Sequence, residues 1–156
     1  MGNRRRSREQ ALQALFYMDM RRDPEENPVG LFCESFAREK PAGPFFHRLI
    51  EGVQEHRNTI DDVIEQYSSN WKISRMSCVD RNVLRIAVFE LLYCEDIPPK
   101  VSINEAIDVG KRFGTEESGA FINGILDSIR LALDRNTLEA VTETNRVERA
   151  GKGEEL

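Results

Sequence analysis

The chain has little of what most catalytic or structural metal chemistry needs. It has three cysteines (Cys33, Cys78 and Cys94), an odd number with no C-x-x-C pair among them, so free thiols and a reducing, cytosolic setting are expected. Its two histidines, His47 and His56, are nine residues apart with no i, i+4 partner, which is poor spacing for a metal site. Gly110-Lys111 lacks the upstream glycine of a phosphate-binding loop. The adjacent acids Asp61-Asp62, Glu116-Glu117 and Glu154-Glu155 do not face one another on a helix, so they read as solvated charge. No cysteine has a base at a recognisable spacing. No catalytic residue, cofactor site or metal ligand is therefore expected, and the chain does not read as an enzyme. No apolar run approaches the roughly 20 residues that span a bilayer, so no membrane association is expected. The arginine-rich start is followed by Ser7-Arg8-Glu9-Gln10 rather than by a signal-peptide apolar segment. Period-two alternation is missing too, which removes strands from the reading.

What is present is charge and helical periodicity. Charged residues make up 31% of the 156 residues and hydrophobic ones 40%, which suits a helix-rich domain with a real core. The net charge of −5 conceals an asymmetry, because Arg4, Arg5, Arg6 and Arg8 crowd the first eight residues with no acid between them. A basic segment on an acidic body argues for a local anion site rather than indiscriminate coating of nucleic acid.

The stretch Ser77–Tyr93 organises the rest. Ser77 is placed to cap a helix through the Asp80 N–H, with the Asp80 carboxylate able to reach back. From Val83 to Tyr93 only Arg85 and Glu90 are polar, so apolar residues fall on all sides, as in a buried helix. Arg81 and Arg85 share a face and repel unless an anion is near. They are expected either to pair with carboxylates or to await a partner where this helix leaves the core.

Around that helix the pattern predicts an all-α fold of about seven helices in two small bundles. A first helix is expected over about Ser7–Met20, with Arg4, Arg5 and Arg6 ahead of it as a mobile arm. A loop at 23–30 precedes a short helix carrying Leu31, Phe32 and Phe36. Two further helices carry Phe45 to Val53 and Ile60 to Tyr67, and Trp71 with Ile73 is expected to plug the joint before the central helix. After Pro98-Pro99, a second capping box, Ser102-x-x-Glu105, is expected to open the next helix, with Gly114 ending it. The last helix presents Phe121, Ile122, Ile125, Leu126, Ile129 and Leu133. The domain reading is a basic arm at 1–8, a helical domain at 9–133 and a charged, disordered tail at 134–156.

Guanidinium forks match phosphate oxygens, so the Arg4-Arg5-Arg6-x-Arg8 run points to nucleic acid, with Phe121 beside an acidic loop as a candidate for base stacking. A module whose arm binds an acidic protein, and an RNA-recognition domain serving a separate enzyme, are the alternatives. Four blocks then carry a resemblance. They are the Arg-rich start with Glu9; Asp80-Arg81-x-x-Leu84-Arg85-x-Ala87-x-x-Glu90; Ile103-Asn104-Glu105-Ala106; and Phe113-Gly114-Thr115-Glu116-Glu117-Ser118-x-x-Phe121-x-Asn123-Gly124-x-Leu126-Asp127. In this order and spacing, over about Arg4 to Leu133, the chain resembles the NusB family of transcription antitermination factors. The resemblance implies two perpendicular three-helix bundles and no catalysis. It implies binding of boxA RNA on nascent ribosomal RNA transcripts together with NusE, a small-subunit ribosomal protein, within an RNA polymerase antitermination complex. It places Arg4, Arg5, Arg6, Arg8, Glu117 and Phe121 toward RNA, and Phe16, Asp80 and Arg85 toward the protein partner. Glu117, Ala120 and Phe16 depart from the Asp, basic residue and Tyr frequent in the family. A monomer and a homodimer both remain open for the free protein.

Overall fold

The computed structural model describes residues 2–20, 43–69 and 71–135, with side chains described from Arg4 onward. Among them are six α-helices: α1 (Gly2–Met20), α2 (Pro44–Glu55), α3 (Arg57–Tyr67), α4 (Cys78–Tyr93), α5 (Pro99–Phe113) and α6 (Ser118–Asp134). A 3₁₀ turn at Ile73–Arg75 leads into α4. The short helix expected around Leu31, Phe32 and Phe36, and the tail beyond residue 135, lie outside the described residues.

The central helix is α4. Ser77 Oγ accepts the Asp80 N–H at 3.1 Å, as its capping position requires. Every residue from Asn82 to Glu90 is buried, and α4 packs against all five other helices. Two groups share it: α1 with α2, and α5 with α6, while α3 lies against α4 and α6. Leu84, fully buried, belongs to the core common to both groups. The core stripes recur at helical spacing, as in Phe46, Leu49, Ile50 and Val53 of α2 and Ile122, Ile125, Leu126 and Ile129 of α6. Close approach is bought at one glycine in particular: the Phe89 ring lies on Gly52, where any Cβ would collide with it.

Two helix starts differ from expectation. The first helix opens at Gly2, so Arg4, Arg5 and Arg6 stand on α1 rather than on a mobile arm ahead of it. The reason is visible in its buried side: Ser7, Arg8, Ala11, Leu12, Ala14 and Leu15 form one continuous stripe, and a paired arginine extends it N-terminally. Helix α5 opens at Pro99, whose fixed φ suits the first helical position, so Ser102 and Glu105 are interior residues and not a capping box. Gly114 does end α5, with its N–H donating to the Gly110 carbonyl at 2.8 Å. Its φ of −101° is not left-handed; a side chain there would run into Ser118 and the Gly110 carbonyl, so the need for glycine is steric. Ile73 is buried, but Trp71 is 53% exposed and does not plug the joint.

Candidate nucleic-acid and partner interfaces

The four arginines of the opening motif meet four different environments. Arg4 is exposed, with its guanidinium 4.8 Å above the Phe45 ring and Nη2 3.5 Å from Asp96. Arg5 is half-exposed, donating from Nε to Glu105 and from Nη2 to Asp108 at 2.9 Å. The Glu105 hydrogen bond in particular raises its pKa further above the ordinary arginine value. Arg6 is exposed and has no ion-pair partner among the described residues. Arg8 is 3% exposed and donates from Nε and Nη2 to the two oxygens of Glu90 at 2.9 and 2.7 Å. Ser102 Oγ adds a third bond to that carboxylate at 2.8 Å. A charge so enclosed has exchanged water for a fork-to-fork ion pair and is part of the core, not of an RNA-facing surface.

Three arginines at the start of α1 oppose its helix dipole, since cations are favoured at the other end and no acid occupies the first turn. The acids come from elsewhere in the fold: Asp96 from the α4–α5 turn and Glu105 and Asp108 from α5. Asp96 also takes both Nη groups of Arg48, at 3.1 and 2.7 Å. That bond above all holds its carboxyl down at about 2.

On α5 the sequence of exposed charge runs Asp108, Lys111, Arg112. Arg112 bonds Glu9 of α1 at 2.8 Å, while the Lys111 stem lies over Gly119 at the start of α6. Thus α5 separates the arginines of α1 from Glu117 and Phe121 and connects them through its own cations. Glu117 is exposed at the N-cap of α6, and Phe121 is half-buried one turn into the helix. Phe121 meets Trp71 edge-to-face at 5.9 Å and 61°.

At the other end of α1 lies a largely apolar groove of about 560 Å³, lined by Leu12, Gln13, Phe16, Tyr17, Met20, Val79 and Phe113. Phe16 and Met20 are 41% and 67% exposed. Asp80 follows Val79 at the start of α4; its Oδ1 is buried and has no hydrogen-bond partner among the described residues, and no reach-back to Ser77 forms.

Arg85 is not at that surface. It is 3% exposed, and Nε and Nη2 donate to the two oxygens of Asp61 at 2.8 and 3.1 Å. Its Nη1 donates to Asn82 Oδ1 at 2.9 Å and lies 3.4 Å from Asp19. Of the two ways to satisfy the α4 arginines, carboxylates inside the fold are the one observed, and a partner-facing Arg85 is corrected to an internal clamp. Asp19 also accepts from Arg81 Nε at 2.9 Å and from Asn82 Nδ2 at 2.8 Å. Burial would push the Asp19 carboxyl up, but the bonds from Asn82 and Arg81 and the charges of Arg85 and Arg81 outweigh it and hold it below its ordinary value. The Cys78 and Cys94 thiols are free, and burial raises both, Cys94 to about 11.

Among the described residues no group of His, Cys, Asp and Glu could hold a metal ion. No helix there is long and apolar enough to cross a membrane. Sequence reasoning missed Glu90, Asp61 and Asp19 as counter-charges. One signal was available: an arginine or glutamate inside an apolar helix face has to be paired.

These features define an all-α recognition domain, whose surface chemistry is an arginine-bearing helix, an aromatic edge and an apolar groove. The model of the NusB family matches residues 5–130, and the chain belongs to that family. It is 57% identical over 135 residues to the transcription antitermination protein NusB of Desulfatibacillum aliphaticivorans, covering 86% of this chain and 94% of that one. The corresponding protein of Desulforapulum autotrophicum is 51% identical over 143 residues, covering 89% and 100%. Among solved structures, T. maritima NusB superposes with a TM-score of 0.72 at 45% identity, covering 81% of this chain and 89% of that one. A crystal structure of antitermination factors NusB and NusE in complex with dsRNA gives 0.72 at 29% identity, covering 85% and 98%.

Proposed function

We propose that this chain is a non-catalytic transcription antitermination factor of the cytoplasm. It binds boxA RNA of nascent ribosomal RNA transcripts jointly with NusE, within an RNA polymerase antitermination complex. The observation that carries this reading is the division of one helix: α1 presents arginines at its start and the Phe16 groove at its end. Two ligands can therefore sit on the same rigid element without competing. A structural neighbour in which NusB and NusE are in complex with dsRNA supports the pairing of a protein and an RNA ligand.

In this reading Arg4, Arg5 and Arg6 take RNA phosphates, with Glu117 and Phe121 contacting bases. Phe16 and Asp80 meet NusE, with Phe16 lining the groove and Asp80 standing beside it at the start of α4. Arg8 and Arg85 act behind these surfaces: Arg8 fixes α1 to α4, and Arg85 fixes α3 and the end of α1 to α4. The test is calorimetric titration of NusE and of boxA RNA, each alone and in the other's presence. Each ligand should raise affinity for the other by one common factor, as linkage demands. Failure of boxA RNA to bind better than scrambled RNA in the presence of NusE would overturn the assignment.

A further inference from the structure

Trp71 is the only tryptophan in the chain, and it stands 53% exposed on a braced turn. Its N–H donates to the Ser68 carbonyl at 3.2 Å and its carbonyl accepts from Ser68 Oγ at 3.2 Å. Ser69 adopts a left-handed φ of 57°, the sole non-glycine residue to do so among those described. Two residues on, the Ile73 N–H donates to Glu65 Oε1 at 2.9 Å, anchoring the chain to α3. The Trp71 backbone is thus tied to Ser68 and the Ile73 backbone to α3, while a large apolar side chain stays exposed where burial would otherwise be favoured. A turn that accepts a left-handed serine and closes three hydrogen bonds around Trp71 is a feature the fold supports rather than a lapse in packing.

The surroundings say what would cover it. Phe121 packs edge-to-face on the indole at 5.9 Å, so the two rings offer differently oriented aromatic faces side by side. Lys72 and Arg75, both exposed, follow Trp71 in the chain, and exposed Lys111 lies over Gly119 at the start of α6, the helix that carries Phe121. Glu116 and Glu117 are exposed on the loop before α6. Exposed cations on the same elements as aromatic faces suit a single-stranded nucleic acid, whose bases stack while its phosphates meet lysine and arginine. The carboxylates repel phosphates but can accept from base amino groups, which orients bases rather than backbone toward the loop. A protein strand or helix would use the rings but leave this mixture of charges without a purpose.

We propose that Trp71 and Phe121 form a stacking platform for unpaired RNA bases, with Lys72, Arg75 and Lys111 as its phosphate contacts. This rests on the RNA-binding reading above and extends it beyond the α1 arginines, across α5, to a face built by the α3–α4 connection. The RNA would then run over both edges of α5.

Because Trp71 is the sole tryptophan, its fluorescence reports the platform directly. Titrating single-stranded boxA RNA should quench that emission, and an oligonucleotide of equal charge with abasic positions should quench it far less. Trp71→Leu should weaken RNA affinity by about 5- to 150-fold, the usual range for one lost base stack. Its salt slope should stay unchanged, since no cation is removed. Trp71→Phe should restore most of the affinity, whereas Lys72→Ala with Lys111→Ala should make the slope shallower. Wild-type affinity and no quenching, in a protein whose Arg5→Ala and Arg6→Ala variant has lost binding, would overturn the platform while the arginine reading stands. Absence of RNA binding by the wild type would overturn both. Quenching by NusE without RNA, with Trp71→Leu weakening that complex, would make this face a protein contact and likewise overturn the proposal.

Discussion

Arg5 and Arg8 lie three residues apart on α1, and carboxylates hold both. Arg5 keeps 38% of its side chain in solvent between Glu105 and Asp108. Arg8 keeps 4% and has lost its water to Glu90, which Ser102 also satisfies. The difference teaches that a run of like charges is not one functional unit. An exposed pair is screened and contributes little to folding, so it can be traded for a phosphate. A buried pair has already borne its desolvation, and removing one partner strands the other.

The largest effect should follow from breaking the buried pair. Arg8→Ala should destabilise the fold by about 3–5 kcal/mol in urea melts, because Glu90 is left charged among apolar neighbours. Replacing both partners, Arg8→Met with Glu90→Leu, should recover most of that loss. A single variant costing under about 1 kcal/mol would show that Arg8 lies nearer the surface than its geometry indicates. Leu84→Ala gives a purely apolar comparison in the same helix. With the side chain fully buried, the expected loss is about 2–5 kcal/mol from lost burial and a cavity.

Exposed arginines should behave in the opposite way. Arg5→Ala with Arg6→Ala should cost less than about 1 kcal/mol of stability. Yet boxA affinity should fall at least about tenfold, and the logarithmic salt slope should flatten by about 1.4, or ~0.7 per phosphate contact. Filter binding across a salt series measures both. A melt lowered as much as that of Arg8→Ala would erase the distinction between the two residues.

The apolar architecture was legible because periodicity is local: the stripes of α2 and α6 and the all-round burial of α4 can be read from residue types alone. The charged architecture was not, because its partners are distant in sequence. Glu90 stands 82 positions from Arg8, and Asp61 stands 24 from Arg85. The sequence did indicate that Arg81 and Arg85 needed anions, but Asp19, at the end of another helix, carries no local mark of that duty. Trp71 was misread for a related reason. Its size predicts burial, and only the hydrogen-bonded turn at Ser68 and Ser69 shows why it stands outside. Phe16 and Phe121 gained their surface context only once α5 and α6 were in place.

The smallest predicted effect extends the comparison to the acids themselves. Asp19 and Asp96 are both held below the ordinary carboxyl value, the first by Asn82 and the arginines of α4 against its burial, the second chiefly by Arg48. A carboxyl lowered in the folded state adds stability that is complete above its unfolded value of about 4. That contribution is lost as pH falls through the folded value. Both residues should therefore steepen the loss of stability below about pH 4, with Asp96 finishing near its folded value of about 2. Salt should separate them. Asp96 is 49% exposed, so its share should shrink at about 1 M salt, where the screening length is only ~3 Å. Asp19 is 9% exposed and faces Arg85 inside the fold, so its share should persist. Urea melts across the acid range, at low and high salt, measure the two shares. Asp96→Asn should flatten the acid limb mainly at low salt, and Asp19→Asn should flatten it at both. If the Asp19 share disappeared in high salt, its cluster would be solvent-accessible, and the clamp joining α1, α3 and α4 would be a surface network like the one around Arg5.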